Sequence, residues 1–168
     1  IEDAEARALV ARALALFEEQ VTPVLPELRR SVIHGDANDL NVLVGPAEKE
    51  PRGVAGVVDF GDMHRGLTVA EAAVGATYAI LGRKDKLAAA ALVVRGYHAE
   101  HPLDSREIQA LFPLILARLA VSVTNTAIRK EVRPDDPYVT VSEAGAWDAL
   151  ESLLRIPPAL AHATFRQA

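Results

Sequence analysis

The chain contains no cysteine among its 168 residues. That excludes disulfides, thiolate zinc sites and cysteine nucleophiles. It fits the cytoplasm and equally any compartment where a fold needs no disulfide. There is no surplus of positive charge either: 18 Lys and Arg stand against 23 Asp and Glu, a net charge of −5. A nucleic-acid groove is therefore not expected, although an acidic balance accommodates a cationic small ligand. No leader-like segment is recognisable. The longest strongly apolar stretch, Leu111 to Val123, is interrupted by Arg118 and is too short to span a bilayer, so no membrane is expected. Internal repeats, low-complexity tracts and domain linkers are also lacking. What is present is apolar: half the residues are hydrophobic and the mean hydropathy is +0.12. Two explanations fit, an Ala/Leu/Val-rich helical core or a surface that meets another domain or a second copy in a homodimer. The length suits one domain, or one large lobe of a bigger fold.

The informative stretch runs from Val32 to Asp62. Two β-type runs, Val42–Val44 and Val54–Val58, flank a polar break from Gly45-Pro46 to Gly53. That is the pattern of a hairpin with a solvated loop. Asp36 and Asn41 precede the first run, and Asp59 closes the second. An antiparallel hairpin brings those ends side by side. Two carboxylates and an amide then converge on one point, an oxygen donor set suited to Mg²⁺.

His34-Gly35-Asp36 with Asn41, followed by Asp59-Phe60-Gly61, resembles the catalytic loop and metal loop of kinases. The His-Gly-Asp form is most similar to the aminoglycoside phosphotransferase and choline kinase superfamily. Gly35-Asp36-Ala37-Asn38-Asp39-Leu40-Asn41 and Asp59-Phe60-Gly61-Asp62-Met63 resemble the hydroxylysine kinase type within it. The resemblance implies a mainly α (α+β) fold: the helical C-terminal lobe of a protein-kinase-like structure, with a small β-hairpin carrying the two loops. It implies transfer of the γ-phosphoryl group of ATP, with Mg²⁺, to the hydroxyl of a small and cationic acceptor. Hydroxylysine, homoserine, choline and aminoglycosides are the candidate classes. The family's strand lysine and phosphate-covering loop lie in an N-terminal lobe. The 33 residues before His34 hold neither a Gly-x-Gly-x-x-Gly nor a Val-Ala-x-Lys pattern. The expectation is a single domain over residues 1–168 that lacks the N-terminal ATP-binding lobe and is inactive by itself. Two rivals are a metal-dependent phosphohydrolase, which needs several more histidine ligands, and a non-catalytic kinase-like binding module.

Each candidate residue has a plainer alternative. Asp36 is the implied base, or else a turn-capping Asp. Asn41 and Asp59 are the implied metal ligands. His34 is a proton-transfer group or, as favoured here, a histidine whose ring nitrogens bond backbone; in the family it braces the loop. Asp39 contacts substrate or makes an Asx-turn with Asn38. Asp62 supports the metal through water or holds the following loop. Glu71 completes a capping box with Thr68, or anchors the catalytic-loop backbone as an acidic residue does at this helix start in kinase-like folds.

The remainder reads as helices: residues 2–20, a short one after Thr22-Pro23, 68–81 ending near Gly82, 85–100, 104–130 with a kink at Pro113, a span from a Ser142 cap to Leu154, and a last one to Phe165. Residues 63–67 and 132–140 read as loops. Helix 104–130 is apolar around much of its circumference and is expected at the centre, with Arg118 paired to a carboxylate or a carbonyl. Ser122, Thr124, Asn125 and Thr126 form a polar patch that either faces the cleft or bonds back to its own helix. His98 and His101 lack a third ligand and carry no zinc expectation.

Overall fold

The computed structural model describes residues 1, 3–46, 48, 53–132 and 143–168. It is mostly helical, with two small antiparallel ladders, as the resemblance implied. Helix α1 (Ala4–Gln20) starts at Asp3, whose carboxylate accepts from the N–H groups of Glu5 and Ala6. A 3₁₀ segment, Thr22–Glu27, follows in place of the expected short α-helix. Pro26 lacks the N–H that an α-helix would donate back to the Thr22 carbonyl.

Strand β1 (Arg30–Ile33) leads into the loop at His34. Strands β2 (Val42–Val44) and β3 (Val54–Val57) form the expected hairpin, with Val42 opposite Val57. Residues 63–67, expected as a loop, mostly form a strand instead. Strand β4 (His64–Leu67) pairs antiparallel with β1, with Ile33 opposite His64 and Ser31 opposite Gly66. Gly66 permits this close approach, because a Cβ there would lie 2.8 Å from Ile33 Cδ1 and 2.7 Å from the His64 ring.

Five helices complete the described fold after β4: α2 (Thr68–Ala79), α3 (Lys86–Glu100), α4 (Ser105–Val132), α5 (Glu143–Leu154) and α6 (Pro158–Gln167). At 28 residues, α4 is about 42 Å long. Helices α1, α2, α5 and α6 all pack on it. Its Leu111, Phe112, Ile115, Leu116 and Leu119 are fully buried. By length and composition alone α4 could cross a membrane, yet half of its apolar window is covered by the domain, which makes it the central core helix. Facing it, α2 buries Ala72, Ala73 and Ala76. Such small side chains let two helices approach closely. The Ser142 cap and the 132–140 loop lie, apart from Val132, outside the described residues.

Two polar devices hold α4. Asp104 accepts from the N–H groups of Arg106 and Glu107, and Glu107 accepts in return from the Asp104 N–H. This is a reciprocal capping box. The fully buried Glu107 carboxylate also pairs with Arg29, which sits just before β1. Pro113 removes the donor that the Gln109 carbonyl would otherwise receive. That carbonyl bonds His162 of α6 instead.

Burial pushes the His162 pKa down, and the charge of Arg166 adds to this, while the Gln109 carbonyl opposes it. A depressed folded pKa means that the unfolded chain binds the extra proton first. The stabilisation is complete above the unfolded value of about 6.5 and is lost as pH falls toward the folded value. Urea midpoints are expected to drop on acidification below that point, and His162→Asn should remove most of the drop.

Candidate functional site

The loop between β1 and β2 is held from three sides. From β3's end, the Val58 N–H donates to the Asn41 carbonyl at 2.9 Å. The Val58 carbonyl meets His34 Nε2 at 2.9 Å. His34 Nδ1 accepts from the Asp36 N–H, so Nε2 carries the proton. Both ring nitrogens thus bond backbone, and His34 is a brace. Phe60 packs edge-on against its ring, with centroids 5.2 Å apart.

From α2, Glu71 Oε2 accepts the Gly35 N–H at 3.1 Å. The capping box with Thr68 does not form. The Thr68 hydroxyl bonds Ser31 Oγ, and no side chain caps α2. Of the two expectations for Glu71, the anchor is the one present. From the loop itself, Asn38 Oδ1 accepts the N–H groups of Leu40 and Asn41. Asn38 therefore makes the Asx-turn considered for it and Asp39. The Asp39 carboxylate stays exposed to the cavity.

These restraints bring the predicted residues together. Asp36, Asp39, Asn41, Asp59 and Asp62 line one cavity of about 450 Å³. His34 and Glu71 stand behind it as supports. Asp36 Oδ2 accepts from Asn38 Nδ2 at 2.9 Å and from Asn41 Nδ2 at 3.1 Å. Asn41 is buried. Its Nδ2 is committed to Asp36, which leaves its Oδ1 as the end available to a cation. Asp59 has φ +61, a conformation that costs a non-glycine residue about 1–2 kcal/mol. Such strain concentrates at functional sites. The Asp59 side chain caps the 3₁₀ turn Phe60–Asp62 by accepting from the Gly61 N–H. Carboxylate and amide oxygens at the mouth of one cavity match the preference of Mg²⁺ for one or two carboxylates plus substrate phosphates. No cluster of three His, Cys, Asp or Glu side chains suited to a metal occurs among the described residues.

The opposite wall comes from helices; of its residues the sequence offers only the Ser122–Thr126 patch as a cleft lining, and does not place Tyr78, Arg118 or Arg129 there. Tyr78 of α2 donates to Asp36 Oδ1 at 3.2 Å. Arg118 of α4 donates to the same oxygen at 3.1 Å and to the Tyr78 hydroxyl at 2.8 Å. The carboxylate partner expected for Arg118 is thus the candidate base. Burial raises the Tyr78 pKa, partly countered by Arg118, so the phenol stays a neutral donor. Ser122, Asn125, Thr126 and Arg129 continue the wall along α4; Thr124 does not line it. The signal was in the spacing. Tyr78 lies seven residues after Glu71, two turns along one face. Arg118, Ser122, Asn125 and Arg129 recur at intervals of four, three and four on α4, again one face.

Residues 1–111 match the profile of the phosphotransferase enzyme family. The chain belongs to this family. Hydroxylysine kinase of Mus musculus is 30% identical over 153 residues, covering 88% of this chain and 40% of the mouse protein. Hydroxylysine kinase of Xenopus laevis is 28% identical over 159 residues, covering 91% and 42%. The phosphotransferase chain thus spans about two-fifths of the length of these curated relatives. No solved structure gives a significant match.

Gly35 tests how tightly the phosphotransferase loop is set. Its φ is +80, and a Cβ would lie 3.0 Å from the Asp62 carbonyl. Gly35→Ala is expected to lose about 1–3 kcal/mol of stability, read as a lowered urea midpoint. An unchanged midpoint would mean that the loop can relax.

Proposed function

We propose that this chain is the acceptor-binding and metal-binding lobe of an ATP-dependent small-molecule kinase. The acceptor is a hydroxylated amino acid of the hydroxylysine type. The observation that carries this is the single cavity in which Asp36, Asn41, Asp59 and Asp62 face the polar wall of α4. The family membership and the relatives named hydroxylysine kinase support it.

The proposed chemistry follows from those residues. Asp36 orients the acceptor hydroxyl and takes its proton as the new O–P bond forms and the bond from the γ-phosphorus to its bridging oxygen breaks. ADP is the leaving group. Asn41 and Asp59 would hold Mg²⁺, which when bound neutralises charge on the ATP phosphates. Asp39 and Asp62, both on the cavity, offer negative charge to the acceptor's amino groups. Arg129, at its far end, offers a guanidinium to a carboxylate. A zwitterionic acceptor uses both walls, whereas choline or an aminoglycoside leaves Arg129 unused.

The N-terminal lobe, which this assignment requires for ATP, has a surface to dock on. Val32, Leu40, Leu43, Val44, Val54 and Phe60 are exposed around the hairpin and loops. The phosphohydrolase alternative is weakened because His34 spends both ring nitrogens on backbone groups, the Val58 carbonyl and the Asp36 N–H, which leaves His64 as the nearby histidine where several ligands are needed.

The test is ADP release by the full-length protein with Mg-ATP and a panel of hydroxylysine, homoserine, choline and an aminoglycoside. Hydroxylysine should be preferred. Asp36→Asn should lower turnover at least about a hundredfold while Mg-ATP still binds by calorimetry. Preference for choline or an aminoglycoside would refute the acceptor assignment. Near-normal turnover in Asp36→Asn would refute the role of Asp36.

A further inference from the structure

We infer that Arg118 is a positioning residue for the Asp36 base and that the Tyr78 hydroxyl holds the place the acceptor hydroxyl takes. The inference rests on the kinase assignment and goes beyond it, because neither residue belongs to the loop motifs.

A carboxylate offers about four lone-pair positions. In Asp36 all four are in use: Asn38 and Asn41 on Oδ2, Tyr78 and Arg118 on Oδ1. A base with no open position cannot accept a substrate proton, so one donor must yield. Asn41 and Asn38 are fixed by further bonds to the Asp36 carbonyl and to the turn. Arg118 brings a full charge, which makes its bond to a carboxylate the harder to give up. Tyr78 is neutral and has the longest of the four contacts, at 3.2 Å. It is the one built to leave. An alcohol hydroxyl arriving where the phenol sits would donate to Oδ1 and accept from Arg118, as the phenol does now.

Arg118 is poorly placed as a purely structural residue. Its Nε is buried without a partner among the described residues, while its NH2 nitrogen serves both Asp36 and Tyr78. The guanidinium also lies over the Tyr78 ring at 5.6 Å. Its geometry satisfies the carboxylate at the expense of its own inner nitrogen. Because Arg118 is on α4, the helix that lines the acceptor wall, it sets the base in register with Ser122 and Asn125.

The experiment compares Arg118→Gln, Arg118→Lys and Tyr78→Phe in the full-length protein, alongside wild type and Asp36→Asn. Arg118→Gln should lower kcat roughly ten- to a hundredfold, the scale of a misplaced reacting group, with the ATP KM within about twofold of wild type. Arg118→Lys should recover part of that loss. Tyr78→Phe should lower the acceptor KM about twofold or more, because the phenol no longer competes for Oδ1, and should cost kcat less than Arg118→Gln does. The inference is overturned if Arg118→Gln keeps wild-type kcat, if Arg118→Lys is no better than Arg118→Gln, or if Tyr78→Phe loses as much as Arg118→Gln. Should Arg118→Gln fail to fold, Arg118→Lys and Tyr78→Phe decide: a larger kcat deficit in the lysine variant than in Tyr78→Phe supports the inference, and any other pattern overturns it. An inactive Asp36→Asn beside a fully active Arg118→Gln sinks this inference alone, whereas a folded wild type that phosphorylates no hydroxylated amine sinks the kinase assignment and this inference with it.

Discussion

The carboxylate of Asp36 accepts from four side chains drawn from three separate parts of the chain: Asn38 and Asn41 from its own loop, Tyr78 from α2 and Arg118 from α4. The site exists only while the packing of α2 on α4 keeps those parts in register. Their contact is built from buried alanines on α2 and large aliphatic side chains on α4. Interiors packed at crystal-like density do not slide continuously, so the core fixes where Tyr78 and Arg118 meet the loop. Glu71 joins the same system from the other end of α2, since its grip on Gly35 ties the loop backbone to the helix that carries Tyr78.

The loop half of the site was legible in the sequence because local spacing determines it. A hairpin that pairs Val42 with Val57 brings Asn41 and Asp59 together whatever the rest of the chain does. The central position of α4 was legible from its apolar circumference. Of the helical half, the Ser122–Thr126 patch was legible as one of two alternatives, but the Tyr78 and Arg118 contacts were not, because Arg118 lies 82 residues from Asp36 and only tertiary packing joins them. The sequence required that Arg118 have a partner and left open whether that is a carboxylate or a carbonyl, and which one. The spacing of Tyr78 after Glu71 marked a shared face without naming the group that it meets.

Two segments depart from their local spacing for one physical cause. Thr68 and Glu71 have the spacing of a capping box, and residues 63–67 carry the Gly and charged residues of a loop. Both lie beside β1. Once β4 pairs with β1, Ser31 meets the Thr68 hydroxyl and Gly35 meets the Glu71 carboxylate. Local hydrogen bonding then loses to tertiary partners, which are better shielded from water and so stronger. By contrast, the box at Asp104 and Glu107 forms as its residue types allow. There too tertiary structure adds a demand, because Glu107 must also serve Arg29.

Local rules are broken most where the proposed chemistry lies. Asp59 is the one non-glycine residue at positive φ among the described residues. Arg118 leaves a buried nitrogen unpartnered, and α2 starts without a side-chain cap while Glu71 serves the Gly35 N–H. Each departure lowers stability. Each also has the same beneficiary, since Asp59, Arg118 and Glu71 act on the cavity or on the loop that forms it. A fold selected for stability alone would relax Asp59 into an ordinary turn and let Glu71 cap its own helix. That these three compromises converge on one 450 Å³ space and its loop, while α1, α3 and α4 keep side-chain caps, is what natural sequences show when a site rather than the scaffold dictates the residues.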